Sequence, residues 1–185
     1  MAELSTFGFY TVVRNQRQDW FGGYLVLNAS GRPLEFHCTA PVRTNRAQEI
    51  LFGATLEPYL YGEQIGQTLV NKAETAAAVI CTDVPAALAV RQHIDLPVAL
   101  VMPEVDAASD NNTPAEGRSF RVDASHGGSL KCFSVKQHRL ALAYGFERDE
   151  GQVTASLTAL ADRVLLNEPF ARIREAIEEA QRGGQ

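Results

Sequence analysis

The chain has 185 residues, 45% of them hydrophobic and 21% charged, with a formal net charge of -5 and a pI near 5.4. That is enough apolar material for one sizeable core, and an acidic balance that excludes nucleic-acid binding through bulk electrostatics. The opening MAELSTFGFYTVV lacks the positive start of a signal peptide, and no run approaches the roughly 20 apolar residues of a membrane span. The widely spaced Cys38, Cys81 and Cys132 read as free thiols of a reducing cytoplasm.

The chain opens with three predicted strands, at residues 7–13, 22–28 and 34–39, separated by the polar stretch RNQRQD and the turn ASGRP. They form an antiparallel meander. In the third, alternation sends Leu34, Phe36 and Cys38 inward and Glu35, His37 and Thr39 to the other face. A short helix follows, capped by Asn45 with Gln48 as its reciprocal partner and ended by Gly53. A second helix is expected from Thr55 to Lys72, with Pro58 in its first turn. Gly62 and Gly66 share one of its faces, each costing about 1 kcal/mol relative to Ala, which close approach to another backbone would offset.

Residues 76–81 form a continuous apolar run, a strand buried on both faces. Asp83 is placed to cap a helix over 86–93 with Pro85 in its first turn, and 98–102 is another buried strand. This is a βαβ crossover. Residues 103–118 carry turn formers and no apolar period, so they read as a flexible loop or linker. Strands follow at 119–123 and 130–135 around the turn ASHGGS, and 139–146 fits either strand or helix and is read as a strand. The end is helical: Val153, Leu157, Leu160 and Val164 make one stripe, and Phe170, Ile173, Ile177 and Ala180 another, behind Asn167 as cap. The expected class is α/β (α+β): a mixed sheet with an N-terminal antiparallel meander, a central βαβ crossover and C-terminal helices. An α/β core is expected over 1–102, with 119–185 packed on the same domain.

Four constellations carry the candidate chemistry. Cys81, Thr82 and Asp83 lie where a buried parallel strand gives way to a helix, the place where ligands gather in open α/β sheets. A thiolate there would be stabilised, making Cys81 a candidate nucleophile and Thr82 and Asp83 candidate ligand contacts, with His37 or His93 as base. The structural alternative makes Asp83 a cap and Cys81 the last core residue. Glu35 and His37 project from one strand face, roughly 7 Å apart by strand geometry, as a candidate acid–base pair. No His or Cys pair has ligand spacing; His126 and Cys132 come nearest, and His126 reads as an exposed turn residue, so no metal and no cofactor is expected. Trp20, Phe21, Tyr59, Tyr61, Gly62 and Gly66 are candidate interface residues, the structural alternative being that Trp20 and Phe21 close the top of the core and the two glycines pack tightly inside the fold.

We recognise no family whose motif residues could be carried over. With no complete catalytic constellation, the expectation is a non-enzymatic cytoplasmic module acting through protein–protein contacts, a homodimer being one form. The rival is a small enzyme or ligand binder at the end of the 76–81 strand. Neither membrane nor nucleic acid is expected as a partner, Arg14, Arg17, Arg43 and Arg46 being the candidates for a local basic patch.

Overall fold

Aromatic and β-branched residues dominate both faces of the first two strands, which therefore need a covering layer on each side. The computed structural model describes residues 5–103 and 129–183, and among these it meets that need with a seven-stranded mixed sheet between two helical layers. β1 (Thr6–Arg14), β2 (Trp20–Asn28) and β3 (Pro33–Cys38) form the antiparallel meander. β4 (Val79–Thr82) pairs in parallel with β1, and β5 (Val98–Val101) in parallel with β4. β6 (Leu130–Val135) and β7 (His138–Ala143) form a hairpin that joins β5 through β7. The order is β3-β2-β1-β4-β5-β7-β6, a mixed α/β (α+β) sheet. Expectations for residues 104–128, including the loop, the strand at 119–123 and His126, lie outside the described residues.

One layer covers the face carrying Phe7, Phe9, Leu25, Val79 and Cys81. It consists of α4 (Glu150–Ala161), preceded by a 3-10 turn at Glu147–Asp149, and α5 (Glu168–Gly183). The apolar stripe Phe170, Ile173, Ile177 of α5 is buried on β1 and β2, with Phe170 edge-on to Phe9 at 5.5 Å. The other layer covers Tyr10, Tyr24, Val26 and Ile80. It runs from α1 (Arg46–Phe52) through a 3-10 turn (Gly53–Thr55), α2 (Leu56–Pro58), a π-helical stretch (Tyr59–Gln67) and α3 (Thr68–Lys72). A 3-10 helix, Pro85–Gln92, completes it.

Two differences from the expected elements have physical causes. The crossover helix is 3-10 rather than α-helical. Eight residues span ~16 Å at the 3-10 rise against ~12 Å as α-helix, so the tighter coil carries the chain further back for the same number of residues. The second helix, expected as one α-helix, widens over Tyr59–Gln67, where the buried Tyr10 donates its hydroxyl to the Tyr61 carbonyl at 2.6 Å. A side chain inserted into the ladder in this way is a common cause of such irregularity.

Adjacent glycines of β2 serve opposite layers. The position of a Cβ on Gly22 is occupied by Ile65 and Leu69, and that on Gly23 by Ile173 and Ile177. A side chain at either would force a helix away from the sheet.

Candidate functional site

β1, β4 and β5 are parallel, and β3, antiparallel to β2, ends on the same side. Their C-terminal ends form one edge of the sheet. On the α5 face the register stacks Phe7 beside Val79 and Phe9 beside Cys81. The next residues on that face are Thr11 and Asp83, so the apolar layers end in a polar one. Thr11 is fully buried and donates its hydroxyl to Asp83 Oδ1 at 2.7 Å. Arg174, reaching down from α5, donates through Nη2 to Asp83 Oδ2 and, at 3.4 Å, to Thr11 Oγ1. The Asp83 side chain is 18% exposed and that of Arg174 41%, so the guanidinium is the outer member of the cluster.

This cluster borders a cleft of about 600 Å³ lined by Asp83, Val101, Pro103, Leu165, Asn167, Glu168, Phe170 and Arg174. Its walls are apolar, with Leu165 56% exposed, and apart from Asp83 its polar groups lie along α5 and its approach. Glu168 is engaged by Arg172 at 2.6 Å. Among the described residues, that leaves Arg174 as the cation facing the cleft. Arg174 and Thr11 were not singled out in the sequence. The available signal was Thr11, a polar residue on an otherwise apolar strand face.

The other members of the predicted strand-end site are placed differently. Cys81 is fully buried in β4, and burial pushes its thiol up to about 12. It is therefore a core residue rather than a nucleophile, since a thiol in apolar surroundings stays protonated. Asp83 does not cap the crossover helix, whose N-cap is Val84. Its carboxylate turns to Thr11 and Arg174 instead, and Thr82, buried on the opposite face, accepts from the Val84 N–H at 3.3 Å. Thr82 is thus withdrawn from the cleft. His93 follows the last residue of the crossover helix, at the far end from Asp83, and cannot serve it as a base.

Glu35 and His37 do meet, with His37 Nε2 2.5 Å from Glu35 Oε1. The same carboxylate accepts the backbone N–H groups of Glu74 and Thr75 at 2.9 and 2.8 Å. Together His37 and these N–H groups hold the Glu35 carboxyl down at about 2. Its bonds tie the segment after α3 to the edge strand, so the pair fastens the fold. The expected facing of β3 is reversed: Leu34 is 48% exposed, Phe36 37%, and Cys38 is exposed, while Glu35 and His37 are half-buried. The cause is position. α5 packs on β1 and β2 and leaves the same face of the edge strand uncovered, whereas α3 and the 73–75 segment close over the other face.

The residues put forward as an interface are mostly interior. Trp20, Phe21 and Tyr61 are buried, Trp20 standing edge-on to Tyr61 at 5.3 Å. Gly62 and Gly66 are buried too, Gly62 bringing the π-helical stretch against the backbone of Ala89. Tyr59 is half-buried and stacks on Phe52 at 4.3 Å. Arg14 lies over Trp20 at 4.3 Å, Arg46 reaches Glu49 at 3.5 Å, Arg43 binds Asp19, and Arg17 is exposed in the β1–β2 turn. Among the described residues no three His, Cys, Asp or Glu side chains converge closely enough to hold a metal ion, and no helix is long and apolar enough to cross a membrane. Cys132 is half-buried on β6.

No protein-family model matches the chain, and no curated protein matches it. Among solved structures it is similar to the crystal structure of human ENDOV, an endonuclease, at 16% identity and a TM-score of 0.43, over 97% of this chain and 87% of that one. Two expectations are corrected: the protein-contact module, with self-association, and the exclusion of nucleic acid as a partner. The first loses its physical basis, because all but the half-buried Tyr59 of the aromatic and glycine residues that carried it are packed inside. The second rested on net charge, a sum over the whole surface that does not report a local cluster of arginines. At this TM-score the likeness assigns no activity to this chain.

Proposed function

We propose that this protein binds a small anionic organic ligand at the C-terminal edge of its parallel strands, with Arg174 as the residue that receives the anion. One observation carries the reading: a buried Thr11 and a nearly buried Asp83 hold a partly exposed guanidinium at the mouth of a cleft with apolar walls. A guanidinium has five N–H donors, and Asp83 and Thr11 engage Arg174 through Nη2. The side chain is thus oriented before a ligand arrives, which lowers the entropy lost on binding. Val101, Pro103, Leu165 and Phe170 would take the apolar body of the ligand, and Asn167 offers both a donor and an acceptor. A carboxylate or phosphate ester on an aliphatic or aromatic frame has the matching chemistry.

The test is calorimetric titration of the wild type and of Arg174→Gln with a panel of aliphatic and aromatic carboxylates and phosphate esters. At least one member should bind the wild type and lose about tenfold or more in affinity in the variant, the size of one charge-assisted hydrogen bond. Asp83→Asn, which frees Arg174 from its anchor, should weaken the same ligand. Failure of every panel member to bind, or the same affinity of Arg174→Gln as of the wild type for every member that binds, would overturn the reading.

A further inference from the structure

A second cleft, of about 630 Å³, opens on the same edge of the sheet beneath the C-terminal half of α5. It lies between the β1–β2 turn and the chain leaving β3, with Phe21 and Ile177 on its apolar side and Arg17, Asp19 and Arg43 on its polar side. The polar side is rigidly built. The turn is closed by Asn15 N–H to the Asp19 carbonyl at 2.9 Å and Gln18 N–H to the Asn15 carbonyl at 3.0 Å, with Gln18 in the left-handed region at φ 68°. Asn15 Oδ1 accepts the Asp19 N–H at 2.9 Å. Arg43 is fixed from its own side, because Trp20 and Val42 exchange backbone bonds at 2.9 and 2.8 Å.

Asp19 is nearly buried and takes Arg43 through two bonds, Nε to Oδ1 at 2.6 Å and Nη2 to Oδ2 at 3.2 Å, while the Arg43 side chain stays 71% exposed. The bonded edge of the guanidinium faces Asp19, and Nη1 remains on the outer side. The Arg43 bonds hold that carboxyl below the usual carboxylate range, with a lesser through-space contribution from Arg17. Two cations and one nearly buried anion thus line the polar side, which is net positive in a chain whose net charge is -5.

We infer that this cleft is a separate binding site for an organic phosphate monoester, its phosphate held between Arg43 and Arg17 and its apolar body lying against Phe21 and Ile177. A monoester carries about -1.5 to -2 charge at neutral pH and three acceptor oxygens. It therefore answers two guanidiniums where a carboxylate answers one. The site shares only α5 with the cleft of Arg174.

Phenyl phosphate, benzoate and inorganic phosphate, titrated separately by calorimetry, supply the test. Phenyl phosphate should bind more tightly than either benzoate or inorganic phosphate, and more weakly as salt is raised. Arg43→Gln and Arg17→Gln should each weaken it by about tenfold. Arg17 is exposed in a turn, so its variant folds whether or not Arg43→Gln, which strands Asp19, does. Absence of phenyl phosphate binding, equal binding of benzoate, or wild-type affinity in Arg17→Gln would overturn the inference.

Discussion

The thiol of Cys81 stands between Phe9 and Ala99 in the middle of the sheet, and burial alone raises it to about 12. At neutral pH it is a small neutral core group. Iodoacetamide treatment of the native protein near neutral pH should modify the exposed Cys38 and leave Cys81 intact, with both modified after unfolding, as read by peptide mass spectrometry. Glu35 shows the opposite effect of surroundings. Its carboxyl titrates near 2 in the fold against an ordinary 4.5, because His37 and two backbone N–H groups bind the ionised form. The unfolded chain takes up this proton first, so the stabilisation from Glu35 is complete above about pH 4.5 and is lost as pH falls towards about 2. Urea midpoints measured across that window should fall less steeply with acid in Glu35→Gln than in the wild type.

Among the elements, α1 is a helix that owes its existence to its ends. Asn45 and Gln48 complete a reciprocal capping box, at 2.9 and 3.1 Å, and the helix has no buried residue. Asn45→Ala should cost it about 1 kcal/mol, seen as faster amide exchange within Arg46–Phe52 and little change in global Tm. Gly62 stands at the other extreme, since a Cβ there would press on the Ala89 backbone 2.9 Å away. Gly62→Val should lower stability by about 1–3 kcal/mol in chemical denaturation, through overpacking between the π-helical stretch and the crossover helix.

These elements also mark what the sequence could convey. The Asn45–Gln48 box, the buried runs of β4 and β5 and the stripe of α5 are local signals, in which residues a few positions apart satisfy one another or share a face. Which face of β3 is covered depends on where α5 ends, and no local pattern in β3 encodes that. The site was half legible for the same reason. Asp83 could be placed at a strand end from its neighbours, but its partners Thr11 and Arg174 are 72 and 91 residues away. A capping role, the local option for an Asp before a proline, therefore looked sufficient.

At the scale of the molecule, the crossover and the C-terminal helices are tied by a buried ion pair. Arg91 Nε donates to Asp149 Oδ2 at 2.7 Å, Nη1 to the Ile94 carbonyl at 2.8 Å, and the guanidinium lies over the Phe146 ring at 4.5 Å. Both side chains are nearly inaccessible, at 12% and 9% exposure. Removing one partner leaves the other charged and stranded, so Asp149→Ala should cost about 3–5 kcal/mol in urea unfolding. The double variant Arg91→Met, Asp149→Leu should recover much of that loss.

Both clefts have α5 for a wall, and α5 can lie as close to β2 as it does only because position 23 carries a hydrogen atom where any other residue would carry carbon. The widths of two separate cavities are therefore calibrated at a residue that lines neither. A methyl group added there would act as a shim, loosening both mouths together while every arginine kept its chemistry.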